Sequence, residues 1–337
     1  MNRSTFYSNY IDIFDLADKM REKLCYDDKH LISKYDTRRA EQEHIASNIK
    51  YHIEFFRNGL NAIIKLWLSG GCQESPEEMA EVMHIFAEEI IKRNMNVKLY
   101  GPESGEMMGL TPEYLELLSK DELVMSVMPI FAYHSYHDDD NPQIRVQFKN
   151  ELVLPHPELR FDMSEWCELP NKSHTKNFKG ALITARIIGQ DLIYAGAESW
   201  TSWVAVNQFA IHEDGFDYSD ATLTATDNYE EWYIAERYYG FAHFSKYIPV
   251  GSVCLDNGFF PDENNDFNVF SFLTPNGKTV TVIVNEGESR EITLEGEFKN
   301  MTIIESCQEY KLKTVYDGEY KSTIKVNNNS ILTVIKE

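Results

Sequence analysis

The chain has 337 residues, 43% of them hydrophobic, which is enough for a substantial core and sets a soft expectation of two domains. Its 32 Lys and Arg against 54 Asp and Glu give a net charge of −22. Such a surface repels the phosphates of nucleic acid and of anionic lipid, so neutral or weakly charged ligands remain. Aromatic residues make up 13% of the chain, with 19 Tyr and 19 Phe. Sugar sites use aromatic faces, but a large core uses them too. The five cysteines (Cys25, Cys72, Cys167, Cys254, Cys307) show no CxxC spacing, so neither a zinc motif nor a disulfide framework is read and no cofactor is expected. No apolar run reaches the ~18 residues that cross a bilayer, and the start, MNRSTFYSNYIDIFD, lacks the apolar stretch of a signal peptide.

Residues up to about 35 are ambiguous. From Asp36, Ile45, Ile49, Ile53 and Phe56 recur at helical spacing, and Gly59 stands where a terminating glycine belongs. NAIIKLWL at 61–68 reads as a short strand. Ser75, Pro76 and Glu78 then form an N-cap, a first-turn proline and a capping-box glutamate, which predicts a helix to about Arg93 with Met79, Val82, Met83, Phe86 and Ile90 inward. NVKLYG at 96–101 is a predicted strand, and Pro112 opens another helix. Further strands are predicted at about 124–136, 160–166 and 191–200, with helices at about 174–190 and 229–247. Apolar strands alternating with amphipathic helices indicate parallel βα units.

After about Val250 the pattern changes. VFSFLT and KTVTVIVN flank a turn at Asn276-Gly277, and SREITLEG, NMTIIES, YKSTIKV and SILTVIKE follow as short strands without helices. The division expected is therefore an α/β part at 1–250 and an antiparallel β-sandwich at 251–337.

Each predicted parallel strand ends in polar or aromatic residues. The strand near 100 ends in GPESGE, with Glu103 and Glu106; the next ends in His134, Tyr136, His137 and Asp138-Asp139-Asp140. The third ends in Ser164-Glu165-Trp166, and the fourth in Glu198-Ser199-Trp200 followed by Trp203. In a βα barrel all these ends face one side, where active sites assemble. HSYHDDD carries residue types that bind metals, but nothing elsewhere completes a coordination shell, so a solvated loop is the preferred reading and no metal is expected.

The string RFDMSEWCEL, a following helix and a strand ending in ESWTSW resemble glycoside hydrolase family 30, in particular its endo-β-1,6-galactanase-like branch. GGCQESPEEMAEVM, VKLYGPESGEM, AYHSYH, AERYYGFAHFSKYIPVG and TPNGKTVTVIVN extend the resemblance over about residues 40–337. It implies a (β/α)8 barrel with a side-packed β-sandwich. It also implies retaining cleavage of a β-linked, galactan-like glycan by two glutamates. By its place in the motif Glu165 is the nucleophile, while His134, Tyr136, Trp166, Trp200 and Trp203 would line the sugar subsite. The family's enzymes are exported.

Two departures stand out. The family carries its acid/base in an Asn-Glu-Pro motif just before the GGCQES-like loop. Here that stretch reads NGLNAIIKLWLSGGCQES, with no glutamate between Glu54 and Glu74, so the acid/base is unidentified and a local deletion or frameshift is expected. Only about five barrel strands are legible from residue 61 onward. That implies a barrel incomplete at its N-terminal strands, with exposed edges that favour self-association.

Overall fold

The computed structural model describes residues 75–168, 176–208, 221–225 and 230–337. By compactness the chain divides into Met1–Met79 and Ala80–Glu337. The predicted helix at 36–56 and strand at 61–68 lie outside the described residues. Helix α1 (Pro76–Lys92) starts as its sequence dictates: Ser75 N donates to Glu78 Oε2 at 2.8 Å, and Glu78 N to Ser75 Oγ at 3.4 Å.

Four strands, β1 (Tyr100–Ser104), β2 (Ile130–His134), β3 (Arg160–Trp166) and β4 (Ser199–Ser202), form a parallel sheet in sequential order. Helices cover their connections: α2 (Thr111–Ser119) and α3 (Glu122–Val127), then α4 (Pro142–Phe148), then α5 (Lys179–Gln190). Successive parallel strands with helical crossovers are the (β/α) barrel grammar, here four strands among the described residues. Phe131, Phe161 and Met163 pack with Phe148, Leu115 and Val124 into one cluster, all at most 1% exposed.

Three sequence expectations move. The strand expected at 124–136 is split, because Asp121 caps α3 by accepting from Leu123 N and Val124 N, so its first half is helical. The strand expected at 191–200 begins only at Ser199: Asp191–Ala195 continues α5 as a π-helical turn, ended by Gly196 at φ +77°. The helix expected at 229–247 is shorter, α6 (Arg237–Ser245), because Trp232–Ile234 is strand β7 of a small sheet with β5 (Val206–Gln208) and β6 (Leu223–Ala225).

The C-terminal sandwich has one sheet in the order β13-β12-β15-β10-β9-β8 and a second pair, β11-β14. Its strands are β8 (Val253–Leu255), β9 (Phe267–Leu273), β10 (Thr279–Asn285), β11 (Arg290–Thr293), β12 (Asn300–Ser306), β13 (Lys313–Glu319), β14 (Thr323–Val326) and β15 (Ser330–Lys336). The β9–β10 hairpin turns at Gly277, φ +81°, as its Asn-Gly sequence requires. Strand β13 was not foreseen, since TVYDGEY is mostly exposed and carries no apolar run.

Helices α5 and α6 join the parallel sheet to the sandwich, with Leu182, Ala185, Phe244, Phe270, Phe272, Val282 and Ile331 in one buried cluster. Gly240 lets them approach: a Cβ there would lie 2.2 Å from the Ala181 carbonyl oxygen. Backbone cannot give way as a side chain can. Gly240→Ala is therefore expected to lose about 1–3 kcal/mol net, despite alanine's better helix propensity, measured as a lower urea midpoint.

His243 on α6 is fully buried at the same joint, its ring nitrogens hydrogen-bonded to Thr333 Oγ1 (2.7 Å) and Ser306 Oγ (2.8 Å). Burial holds its pKa down to about 3. The unfolded chain takes up that proton below about pH 6.5, and the folded chain refuses it. Stability is thus complete above about 6.5 and falls as pH drops toward 3, by about 2 kcal/mol at pH 5. Melting curves should show that loss in the native chain and a smaller one in His243→Gln.

Among the described residues no helix is long and apolar enough to cross a membrane.

Candidate active site

The C-terminal ends of β1, β2 and β3 bring together Glu103, His134, Tyr136, Ser164 and Glu165. Tyr136 OH donates to Glu165 Oε1 at 3.1 Å, and His134 Nδ1 lies 3.7 Å from the same oxygen. His134 Nε2 bonds Glu103 Oε2 at 2.8 Å. The rings of His134 and Tyr136 meet edge to face, 5.7 Å between centroids. Glu165 keeps 27% of its side chain exposed, so a ligand can reach it, while His134 is 13% exposed.

Burial raises the Glu165 carboxyl above its ordinary value, against the lowering effect of His134 and the Tyr136 hydrogen bond. Burial also pushes Glu103 up, but hydrogen bonds from His134 and Ser164 outweigh it and leave that carboxyl below the ordinary range. Two carboxyls a few residues apart in space are thus driven in opposite directions by their surroundings, a pattern that marks functional clusters. Tyr136 is raised well above an ordinary phenol by burial and by Cys167 and Glu165, so it stays protonated and remains a donor to Glu165.

Behind this cluster lies a buried polar centre that the sequence did not reveal. Asp191, fully buried, accepts from Arg145 Nε (2.8 Å), Ser135 Oγ (2.9 Å) and Trp200 Nε1 (2.9 Å). It fixes the Trp200 indole, which is partly exposed and packs at 6.0 Å from Trp166 and 5.9 Å from Phe241. No short motif announces this centre, because its members lie just after β2, on α4, in the turn after α5 and on β4.

Trp166, expected to touch sugar, is 1% exposed and donates from Nε1 to Asp139 Oδ1 at 3.0 Å. Its side chain faces the core, so it supports Trp200 from behind instead of offering a face. Trp203 is 43% exposed and follows β4, its backbone N–H bonded to the Trp166 carbonyl at 2.8 Å. The Asp138–Asp140 run has structural partners: Asp139 takes the Trp166 indole, and Asp140 pairs with Arg186 at 3.2 Å. Among the described residues no group of three or more His, Cys, Asp or Glu could hold a metal ion. Cys254 and Cys307 are free thiols.

Comparison with known proteins places this geometry. Residues 251–334 match the profile of the glycosyl hydrolase family 30 beta sandwich domain. Residues 16–89 match a different profile, a transcriptional regulator C-terminal region, and residues 58–75, which carry no Asn-Glu-Pro, lie inside that match. A putative glucosylceramidase 2 of Caenorhabditis elegans is 25% identical over 182 residues, covering 53% of this chain and 34% of the relative. Among solved structures, a conserved exported protein from Bacteroides fragilis superposes with a TM-score of 0.63 at 16% identity, covering 77% of this chain and 60% of the other. The catalytic domain of a family 30 xylanase C from Talaromyces cellulolyticus gives 0.58 at 15%, covering 78% and 57%. An endo-β-1,6-glucanase gives 0.55 at 14%, covering 78% and 53%. The chain thus spans about a third of the curated relative and less than two thirds of these solved ones. Residues 251–334 thus match the family 30 sandwich in sequence, and the parallel sheet and sandwich together resemble the barrel-and-sandwich fold of family 30 structures.

Proposed function

We propose that this chain acts on β-linked glycans as a retaining glycosidase with Glu165 as nucleophile. The observation that carries the proposal is Glu165 itself: a strand-end carboxylate, partly open, held by the Tyr136 hydroxyl and flanked by His134. Its carboxylate would attack the anomeric carbon and form a glycosyl-enzyme ester, which water then hydrolyses. His134 and Tyr136 form one wall of the subsite, and Trp200 and Trp203 offer indole surface for the sugar. A β-1,6-linked galactan is the proposed substrate. The motif resemblance supports it, and a β-1,6-glucanase among the fold relatives supports the linkage. The resemblance and an exported fold relative support a secreted protein.

A second reading is favoured by one specific observation. The chain has no Asn-Glu-Pro and no glutamate between Glu54 and Glu74, so the general acid is unassigned. Losing such an acid costs about 10²–10⁴-fold, and far less when the leaving group needs no proton. A weakened enzyme or a sugar-binding remnant would then result.

Hydrolysis of 2,4-dinitrophenyl β-glycosides of the galacto, gluco and xylo series separates these readings. An assembled nucleophile gives turnover with the β-configured sugar as first product by NMR. Turnover of the activated series together with slow galactan cleavage means an impaired acid. First-formed α-product, or no turnover from folded protein, rejects the retaining assignment.

A further inference from the structure

Glu103 and Ser164 share a peculiarity of register. Pro102 pairs with Ala132 and Ser104 with Tyr133, so Glu103 is the extra residue of a bulge between β1 and β2. Tyr133 pairs with Met163 and His134 with Glu165, so Ser164 is the extra residue of a second bulge, between β2 and β3. A bulge leaves its extra residue outside the ladder, bends the strand and re-aims the side chains nearby. Here the two extra residues are bonded to each other. Ser164 Oγ donates to Glu103 Oε2 at 2.5 Å, and the same oxygen is 2.8 Å from His134 Nε2. Glu103 also has φ +64°, a left-handed conformation that a residue with a Cβ adopts at a cost. Backbone strain of this kind persists where the surroundings impose it, and it concentrates at functional sites.

We propose, on the reading of Glu165 as nucleophile, that Glu103 is its positioning residue: one carboxylate from β1 ties the ends of β2 and β3 together and fixes His134 with its hydrogen on Nε2. The geometry leads there directly. An ionised carboxylate only accepts, so both Ser164 Oγ and His134 Nε2 must present hydrogens to it. That sets His134 Nδ1 at 3.7 Å from Glu165 Oε1, beside the nucleophile but beyond hydrogen-bond distance, so the pair shares no hydrogen. Ser164 precedes Glu165 in the chain, and loss of Glu103 would remove the short charge-assisted bond of its hydroxyl, leaving weaker neutral partners such as the Tyr133 carbonyl at 3.1 Å. A nucleophile displaced by even about 1 Å can lose 10²-fold in rate while ligand binding persists.

The test uses the full chain and three variants, Glu103→Gln, Glu103→Ala and Glu103→Gly. Two quantities are read. One is the labelling of Glu165 by 2-deoxy-2-fluoro-β-glycosyl fluorides, split into maximal rate and half-saturating concentration. The other is the long-range ¹H–¹⁵N spectrum of His134, assigned with His134→Asn. Glu103→Ala is expected to lower the maximal rate by about 10–100-fold with little change in half-saturation. It should also turn the Nε2–H pattern of His134 into a tautomer average. Glu103→Gln keeps an acceptor oxygen and should recover most of the rate. Glu103→Gly should melt about 2–4 °C above Glu103→Ala, because glycine tolerates the positive φ, yet label no faster. Wild-type labelling by Glu103→Ala, or rates that follow melting temperature across the series, would overturn the proposal. If the native chain is not labelled by any of these fluorides, the nucleophile reading fails. The His134 spectrum then decides the clamp alone: an unchanged Nε2–H pattern in Glu103→Ala refutes it.

Discussion

Replacing Glu165 by alanine is expected to lower hydrolysis of dinitrophenyl glycosides by about 10³-fold or more, with the fold intact. The reason is local. Glu165 is a half-buried residue near the end of β3, and only Tyr136 donates a hydrogen bond to it among the described contacts, so its loss breaks few interactions. Azide supplied at high concentration should restore turnover by direct displacement and yield the α-glycosyl azide, the anomer opposite to that of the native product. Burial raises the Glu165 carboxyl, so the native rate should fall on the acid side at a higher pH than an ordinary glutamate would give, as the nucleophile takes up its proton. Unchanged hydrolysis in Glu165→Ala would place the chemistry elsewhere.

Asp191→Ala is expected to act on stability instead, with a loss of about 3–5 kcal/mol read from urea or thermal unfolding. Asp191 and Arg145 are both fully buried and joined at 2.8 Å. Removing the acid leaves the guanidinium charged and sealed from water, with only the Asp138 and Asn141 carbonyls as partners. The Ser135 hydroxyl and the Trp200 indole lose their acceptor at the same time. Asp191→Asn keeps the shape and one acceptor, so it should cost clearly less. Because Trp200 is anchored only through this centre and its ring packing, Asp191→Asn should also weaken sugar binding more than it slows labelling at saturation. An Asp191→Ala protein as stable as the native one would show that the centre is not a paired charge.

Much of the frame was legible in the chain. RFDM alternates and runs into Ser164-Glu165-Trp166, and the string is strand β3 over the predicted span, Arg160–Trp166. Asn276-Gly277 marks its hairpin, and Ser75 through Glu78 marks the start of α1. What escaped was decided by long-range contacts. DLIYAGAESW is as apolar as a strand, yet its first half stays helical because Asp191 is held by Arg145 and Ser135 from α4 and the β2 end. YEEWYIAERYYG has helical spacing, but Trp232–Ile234 pairs with Leu223–Ala225 as a strand. At the site, Glu165, His134 and Tyr136 were named from their strand ends and do meet, whereas Trp166 turns to the core. Indole exposure depends on which way a bulged strand end points, and the β3–β4 register shift between Met163 and Trp166 is invisible in a single sequence.

The central claim is that Glu165 forms a covalent glycosyl ester, and trapping tests it most directly. The purified chain is incubated with 2-deoxy-2-fluoro-β-galactosyl and β-glucosyl fluorides, and its intact mass and labelled peptide are read. A fluoride departs with little protonation, so the result does not depend on the unassigned acid. The account predicts one sugar added per chain, on the peptide that contains Glu165, and no label in Glu165→Ala. A folded native chain that stays unlabelled, or a label on another carboxylate, would contradict it.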